Sequence, residues 1–344
     1  MGQYHSNNSV MACQLSKKFK LRHASCRLAW QTDLVYYLCF GDFTNASSGY
    51  NRKQRTFRRR ERPMKRVLTI QDISCVGKCS ITVALPLISA MGVETAILPS
   101  AVLSTHTMFN NFTVKDLTDQ FEPICKHWKD EGIKFDAIYT GYLGSKEQMD
   151  LVRHIFKEFG GEDTLIFIDP VMADHGKLYP AFDEAYAAEN AKLCAEADII
   201  VPNVTEACFM TGTEYREDFD EAYVQDLLQK LAKLGAKTVV LTGIGLEEGK
   251  NGVYGLDTVS GEYFSYSNDH VDASYHGTGD VFSSVSVGGL MRGLSLHDAF
   301  ALAADYTVET IRATMENPDK PWYGVDFETT IPQLVQGLAE KLQK

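Results

Sequence analysis

The segment TLIFIDPVM, residues 164–172, gives the clearest indication of the fold class. Its core, Leu165–Ile168, is apolar at every position, and Asp169 and a proline follow directly. A short run that is apolar on both faces is typical of a strand inside a parallel sheet with helices on both sides. We therefore expect Asp169 to lie at the carboxyl end of a buried parallel strand.

Similar apolar runs occur on both sides of this stretch and alternate with helical patterns. The runs are VLTIQ (67–71), VETAILPS (93–100), FDAIYTG (135–141), DIIVPN (198–203) and KTVVLTG (237–243). In the helical segment at 145–161, Ser145 is the predicted N-cap and Gly160 the predicted stop. NGVYGLDTV and EYFSYSN predict a hairpin with a Ser-Gly turn, and helices are predicted at 279–292, 295–314 and 329–343. This alternation predicts a three-layer α/β fold, with a mostly parallel central sheet and helices on both faces.

Residues 1–63 differ from the rest of the chain. They show no sustained periodicity and include the basic run RKQRTFRRRER. We interpret them as an N-terminal extension that is disordered or otherwise outside the fold; a targeting peptide and a basic tail for nucleic acid or membrane are the alternatives. Met64 precedes KRVLTIQD, so the predicted domain is 64–344.

Charge and composition narrow the range of functions. The chain has 344 residues and a net charge of −11. Residues 1–66 hold 14 Lys+Arg and 3 Asp+Glu, while residues 67–344 hold 20 and 42, a net charge of −22. A body this acidic argues against nucleic acid as a partner. Without an apolar run of about 18 residues, no membrane span is expected. The eight cysteines fit neither a zinc pattern nor a disulfide scaffold, which favours reduced thiols and a cytoplasmic location.

Polar residues follow the apolar runs in seven places. Because ligands of open α/β sheets bind at the carboxyl ends of the strands, we expect these residues to converge on one edge. They are Asp72, Ser104 to Thr107, Gly141 with Tyr142, Asp169, Asn203 with Glu206, Thr242 with Gly243, and Gly277 to Asp280.

The tetrapeptide GTGD at 277–280 has a chemical logic of its own. Glycines let the backbone approach a ligand closely. The first N–H groups of a helix that begins near Thr278 would face outward and suit a phosphate. Helix polarity favours the charged form of Asp280, so we expect it to be ionised at neutral pH and able to accept a proton from an attacking hydroxyl. A glycine turn with a first-turn helix charge is the alternative interpretation.

Taken together, the motifs resemble the ribokinase-like superfamily, and within it the pyridoxal/pyridoxamine kinases of the vitamin-kinase branch. The matching segments, in order, are VLTIQD, LSTHT, TGYLGS, DPVMAD, PNVTEA, VVLTG and HGTGD, which cover about residues 65 to 315. The resemblance implies transfer of the γ-phosphoryl group of ATP to a primary alcohol, with Mg²⁺ and in some members a monovalent cation such as K⁺. It also implies a homodimer.

The resemblance assigns roles to individual residues. Asp280 resembles the catalytic base, and Gly277, Thr278 and Gly279 the anion hole for the phosphoryl group. Residues on the nucleotide and metal side are Asp169, Asp174, Asn203, Glu206, Thr242 and Gly243, with Asp169 and Glu206 nearest the metal. Residues on the substrate side are Asp72, Ser104, His106, Thr107 and Tyr142; for His106, a structural role is the alternative.

Asp72 departs from the family pattern, because many pyridoxal kinases have serine there. An ionised aspartate only accepts hydrogen bonds. Our hypothesis is that Asp72 faces the substrate and favours pyridoxamine or pyridoxine over pyridoxal; a cap for the next helix is the alternative.

Three other functions compete with a vitamin B6 kinase. Hydroxymethylpyrimidine (phosphate) kinase shares the fold and mechanism, but that branch tends to carry a glycine-rich segment where this chain has DISCVGKCS. A ribokinase-like dehydratase that repairs hydrated NAD(P)H is a lyase and is more distant. A binding module without catalysis fits least, because Asp280 and the pair Asn203 and Glu206 are intact.

Overall fold

The computed structural model describes residues 64–343, so the predicted extension at 1–63 lies outside the described residues. The strands of this part are β1 (Arg66–Ser74), β2 (Glu94–Leu103), β3 (Val114–Asp116), β4 (Ala137–Thr140), β5 (Leu165–Ile168), β6 (Ala173–Asp174), β7 (Lys177–Leu178), β8 (Ile199–Ile200), β9 (Thr238–Ile244), β10 (Lys250–Asp257) and β11 (Tyr263–Asp269). Nine of them form one sheet, in the order β11-β10-β9-β8-β5-β4-β1-β2-β3.

The middle of this sheet is parallel, as the apolar runs predict. Strands β2, β1, β4, β5, β8 and β9 pair in parallel, while β3, β10 and β11 pair antiparallel at the two sides. Parallel neighbours place their carboxyl ends at one edge, so the polar residues that follow these strands are gathered there. The mostly parallel sheet and the hairpin at its side are confirmed.

Helices cover both faces of the sheet. They are α1 (Ile81–Ala90), α2 (Phe121–Asp130), α3 (Lys146–Phe159), α4 (Glu184–Cys194), α5 (Val204–Thr211), α6 (Glu221–Ala232), α7 (Thr278–Met291), α8 (Leu296–Glu316) and α9 (Phe327–Lys341). Successive strand residues point to opposite faces. Tyr139 and Phe167 pack with α1, α7, α8 and α9, while Ile138 and Ile168 pack with α2 to α6. Two apolar cores on either side of one sheet confirm the three-layer architecture.

Capping residues in the sequence predicted both ends of α3 correctly. The hydroxyl of Ser145 accepts a hydrogen bond from the backbone N–H of Gln148 at 3.2 Å, which confirms Ser145 as an N-cap. The helix at 145–161 ends at Gly160, as predicted. Within residues 64–343, no helix has the length and apolar character to cross a bilayer.

Three short elements were not predicted. They are the edge strand β3, the hairpin β6–β7 and the helix α5. The two strands of that hairpin have two residues each, too few to show an alternating pattern. Helix α5 did leave a signal, because Asn203 and Glu206 form a capping box at its start.

Candidate active site

The turn at 276–277 leads into α7 with a backbone that requires glycine. Gly277 is the N-cap of the helix, with φ of 82°. A Cβ at this position would overlap the carbonyl oxygen of Lys78, so two loops distant in sequence touch through their backbones. The Thr278 hydroxyl donates to the carbonyl oxygen of Tyr275 at 3.2 Å, which steadies the turn. The first N–H groups of the helix have no partners within it, which is the geometry that an anion site requires.

Asp280 lies in the first turn of α7, where the charge of Asp169, the residue after β5, acts on it. Ser283, on the next turn of the helix, donates to Asp169 Oδ2 at 2.7 Å. A Cβ built on Gly279 would lie 4.0 Å from the same oxygen. The start of α7 therefore packs against the carboxylate of Asp169, the residue that follows β5.

Asn203 and Glu206 lie at the start of α5, at the same carboxyl edge of the sheet. The Asn203 side chain accepts from the backbone N–H of Glu206 at 2.9 Å and donates to the carbonyl oxygen of Ala173 at 2.9 Å. The two carboxylate oxygens of Glu206 accept from the backbone N–H groups of Met172, at 3.1 Å, and Asn203, at 2.9 Å. The motif that resembles a metal-binding pair thus also caps α5 and ties it to the loop after β5.

Burial raises the pKa values of the three carboxyl groups at this edge, and the charge of Asp169 adds to the rise for the other two. Burial raises the pKa of Asp280 to about 8, and the charge of Asp169 adds to the rise, while the backbone amide of Ser80 opposes it. Burial also raises the pKa of Asp169, and burial together with Asp169 raises the pKa of Glu206. The expectation that Asp280 is ionised at neutral pH is therefore wrong for the protein without ligands. Desolvation and a neighbouring carboxylate outweigh the favourable end of the helix.

This raised pKa predicts a pH-dependent stability difference. A carboxyl group with a raised pKa in the folded state stabilises the fold while protonated, and that stability is lost as pH rises from the unfolded value of 3.8 to about 8. Asp280→Asn removes the ionisation, so its Tm minus that of the wild type should increase between pH 5 and pH 8. Thermal melts at several pH values measure this.

The control is Asp319→Asn, which changes an exposed carboxylate. Its Tm difference from the wild type should stay level with pH. If the Asp280→Asn difference is also level, the assigned environment of Asp280 is wrong.

The remaining residues predicted for the nucleotide side lie around the same edge. Asp174 is exposed on β6, and its Oδ1 accepts from the backbone N–H of His175 at 2.8 Å. Thr242 pairs with Asn203 through an isolated parallel bridge. Gly243 has φ of 75°, and a Cβ there would meet nothing within 4 Å. Open space beside a left-handed glycine leaves room for a ligand next to Thr242.

Asp72 is 4% exposed and binds two serine hydroxyls. Ser80 donates to its Oδ1 at 2.6 Å and Ser74 to its Oδ2 at 2.9 Å. Ser80 precedes α1 and has φ of 52°, a left-handed conformation that is costly for serine. Asp72 therefore positions Ser80, the residue before α1, which is similar to the alternative role of a helix cap. Contact between Asp72 and a substrate stays a prediction.

His106 is fixed by backbone groups on both ring nitrogens. Its Nδ1 accepts from the N–H of Met108 at 3.1 Å, so the Nε2–H donates to the carbonyl oxygen of Tyr323 at 3.0 Å. Burial lowers its pKa, which favours this neutral form. The His106 ring therefore has a structural role, which was the alternative to substrate contact. It connects the backbone near Met108 to that of Tyr323, next to the predicted substrate site.

The other residues predicted for the substrate side differ in accessibility. Ser104 and Thr107 are exposed, and the Ser104 hydroxyl accepts from the N–H of Thr113 at 2.9 Å. Tyr142 is half-buried, with its ring 5.5 Å from that of Phe182. Burial and then the charge of Asp72 raise the pKa of Tyr142. Asp72 is therefore near enough for its charge to act on Tyr142, as expected if both residues border the same substrate site.

Two positioning residues were missed from the sequence. Ser283 holds Asp169, and its place three residues after Asp280, on the same helix face, could have indicated it. Lys78 pairs with Asp326 at 3.1 Å and Glu328 at 2.6 Å, while its carbonyl oxygen contacts the glycine turn. Its acidic partners lie some 250 residues later, so no local pattern could have shown this pairing.

Within residues 64–343, no cluster of three or more His, Cys, Asp or Glu side chains is arranged to hold a metal ion. The predicted ligands Asp169 and Glu206 therefore form a pair rather than a complete set. Each oxygen of Glu206 accepts one backbone N–H group, which leaves one lone pair on each for a metal ion or for its bound water.

The sheet order and the glycine turn opposite Asp169 define a ribokinase-like fold, which confirms the resemblance seen in the motifs. The family model for phosphomethylpyrimidine kinase matches residues 86–321, and the chain belongs to this family.

Relatives of two kinds match at similar levels. A pyridoxal kinase of Dictyostelium discoideum is 26% identical over 75% of this chain and 91% of its own length. A hydroxymethylpyrimidine/phosphomethylpyrimidine kinase of Bacillus subtilis is 26% identical over 65% of this chain and 79% of its own. A solved Bacteroides thetaiotaomicron protein, provisionally named phosphomethylpyrimidine kinase and crystallised with pyridoxal, is 36% identical, with a TM-score of 0.75 over 79% of this chain and 96% of its own.

Proposed function

We propose that the chain is a vitamin B6 kinase that transfers the γ-phosphoryl group of ATP to the 5′-hydroxymethyl group of pyridoxal, pyridoxamine or pyridoxine. The observation that carries the proposal is Asp280, placed at the first turn of α7 behind the glycine turn and opposite Asp169. The Bacteroides relative, crystallised with pyridoxal, supports this choice of alcohol.

Asp280 is the proposed base. Asp169 accepts from Ser283, and Glu206 accepts from two backbone N–H groups, so both are already engaged. Asp280 also accepts from the backbone amide of Ser80, but it is partly exposed and lies directly after the glycine turn. Its carboxylate would accept the hydroxyl proton as the alcohol oxygen attacks the γ-phosphorus.

The backbone N–H groups at 277–279 would stabilise the transferred phosphoryl group. Phosphoryl transfer depends mainly on positioning and charge neutralisation, which preorganised N–H donors supply. The turn is rigid because Gly277 contacts Lys78 and because Lys78 is held by Asp326. The donors would thus be in place before the substrates bind.

The edge with Asp169, Asp174, Asn203 and Glu206 would hold the Mg²⁺–triphosphate, with Thr242 and Gly243 beside the nucleotide. Bound Mg²⁺ supplies positive charge that neutralises the triphosphate. Burial raises the pKa values of Asp169, Glu206 and Asp280, and the charge of Asp169 adds to the rise for the other two, so a bound cation would relieve this repulsion. A requirement for K⁺, a homodimer and a cytoplasmic location stay predictions.

Hydroxymethylpyrimidine kinase is the second candidate, favoured by the family model and by the Bacillus relative. The test is a panel of pyridoxal, pyridoxamine, pyridoxine and hydroxymethylpyrimidine with ATP and Mg²⁺. We expect the highest kcat/KM with a B6 compound. A higher value with the pyrimidine would favour the second candidate, and phosphate release without any phosphorylated alcohol would favour the lyase.

Asp72 is expected to set the order among the three B6 compounds. The charge of Asp72 acts on Tyr142 and His106, which border the predicted ring site. A carboxylate at this place favours a cationic substituent by at least about 1 kcal/mol, the energy of two unit charges 4 Å apart in bulk water. Asp72→Ser should therefore lower the preference for pyridoxamine over pyridoxal at least about fivefold, measured as a ratio of kcat/KM values. An unchanged ratio would show that Asp72 acts only through Ser80.

A further inference from the structure

The loop at 317–325, between α8 and α9, is pinned at both of its ends. The Asn317 side chain donates to Asp326 Oδ2 at 2.6 Å, and the backbone N–H of Asp326 donates to the Thr314 hydroxyl at 2.8 Å. Asp326 also receives Lys78 at 3.1 Å. The 317–325 loop is thereby tied to the loop that contacts the glycine turn.

The tip of the same loop is fixed to the predicted substrate side. The carbonyl oxygen of Tyr323 accepts from His106 Nε2 at 3.0 Å. A Cβ on Gly324 would lie 2.6 Å from the Cβ of Lys78, so the loop passes this residue closely. Trp322 therefore directly precedes two residues that are fixed in place.

Aromatic rings connect this loop to the glycine turn. Phe109 lies with its ring centroid 4.4 Å from that of Trp322 and 5.0 Å from that of His106. The His106 centroid is in turn 4.7 Å from that of His276, the residue before Gly277. Trp322, Phe109, His106 and His276 thus form a continuous aromatic cluster that ends at the proposed phosphoryl site.

The outer part of this cluster is open. Trp322 is 62% exposed, and Met108, beside Phe109 in the chain, is 60% exposed. An exposed aromatic side chain that packs on a second aromatic ring at the edge of a site is suited to contact a ligand. Thr107, next to Met108 in the chain, was predicted to contact the same ligand.

We propose that Trp322 and Phe109 form an aromatic wall that stacks on the flat heteroaromatic ring of the alcohol substrate, which makes Trp322 a specificity-determining residue. This inference rests on the proposed function, because it takes the substrate to be an aromatic alcohol. The wall selects a planar ring over a sugar, since only a planar ring stacks over its whole face.

Kinetics of Trp322 variants test the wall. Stacking and the apolar area that it buries contribute about one factor of ten to binding. Trp322→Ala should raise KM for pyridoxine about tenfold or more and leave KM for ATP unchanged, while Trp322→Phe should restore most of the binding. Trp128→Phe is the control, because Trp128 packs on Phe135 in the other helix layer. If Trp322→Ala leaves KM for pyridoxine unchanged, the wall is wrong.

Fluorescence separates this inference from the proposed function. The chain has three tryptophans, so a Trp30→Phe/Trp128→Phe double variant reports on Trp322 alone. Titration with pyridoxine in the absence of ATP should quench it more than the matched variant that keeps only Trp128. Equal quenching in the two variants would overturn the wall even if the enzyme phosphorylates pyridoxine. Selective quenching without any phosphorylated product would support the wall and contradict the proposed function.

Discussion

Asp280→Asn should lower kcat for phosphorylation of pyridoxine by about 10²- to 10⁴-fold, the usual contribution of a general base. The amide keeps the size of the side chain but cannot accept the hydroxyl proton. Binding should change little, because the donors of the glycine turn and the partners of Asp169 and Glu206 stay in place. Steady-state kinetics should therefore show a large loss in kcat with KM for ATP and for pyridoxine nearly constant.

The pH profile separates loss of the base from general damage. With a pKa of about 8, Asp280 becomes a better base as pH rises, so kcat/KM of the wild type should increase up to about pH 8. The residual activity of Asp280→Asn should lack this rise. Asp272→Asn, an exposed carboxylate on the preceding loop, is the control and should behave as the wild type. A variant at 280 that retains most of its kcat would show that another group takes the proton.

Gly277→Ala should have the second-largest effect, about 10²-fold in kcat/KM, because a displacement of about 1 Å is enough for such a loss. The added methyl group meets the Lys78 carbonyl oxygen and also forces alanine to adopt φ of 82°. The turn must shift, and the N–H donors shift with it. The left-handed backbone alone costs about 1–2 kcal/mol in the free energy of unfolding.

Gly132→Ala is the matched control for this backbone cost. Gly132 has φ of 68°, and a Cβ there would meet nothing within 4 Å. This variant should lose a similar part of its stability, seen as a lower Tm, with kcat/KM unchanged. If Gly277→Ala is destabilised to the same extent but fully active, the turn does not place the phosphoryl group.

The sheet and its polar edge could be predicted because their signals are local. Residues 164–172 carry both an apolar run and the aspartate that follows it, and Asn203 follows a similar run. A parallel arrangement then brings such residues to one edge whatever the loops between them do. The helix α5 escaped notice because Asn203 and Glu206 were interpreted only as metal-side residues, although the same spacing is a capping box.

What could not be predicted depends on contacts between distant parts of the chain. The helix start around Asp280 suggested an ionised carboxylate, but burial and the charge of Asp169 raise its pKa, and Asp169 follows β5, more than 100 residues earlier in the chain. The position of Trp322 likewise depends on His106, some 217 residues earlier in the chain than its hydrogen-bond partner Tyr323. No window of the sequence contains both members of either pair.

The most direct test of the proposed kinase is the fate of the γ-phosphoryl group. The full-length chain is incubated with γ-labelled ATP, Mg²⁺ and pyridoxine, and the labelled products are separated and identified. We predict label on the 5′-oxygen of pyridoxine and its loss with Asp280→Asn. Label found only in inorganic phosphate, or transferred to hydroxymethylpyrimidine but to none of the B6 compounds, would contradict the proposed function.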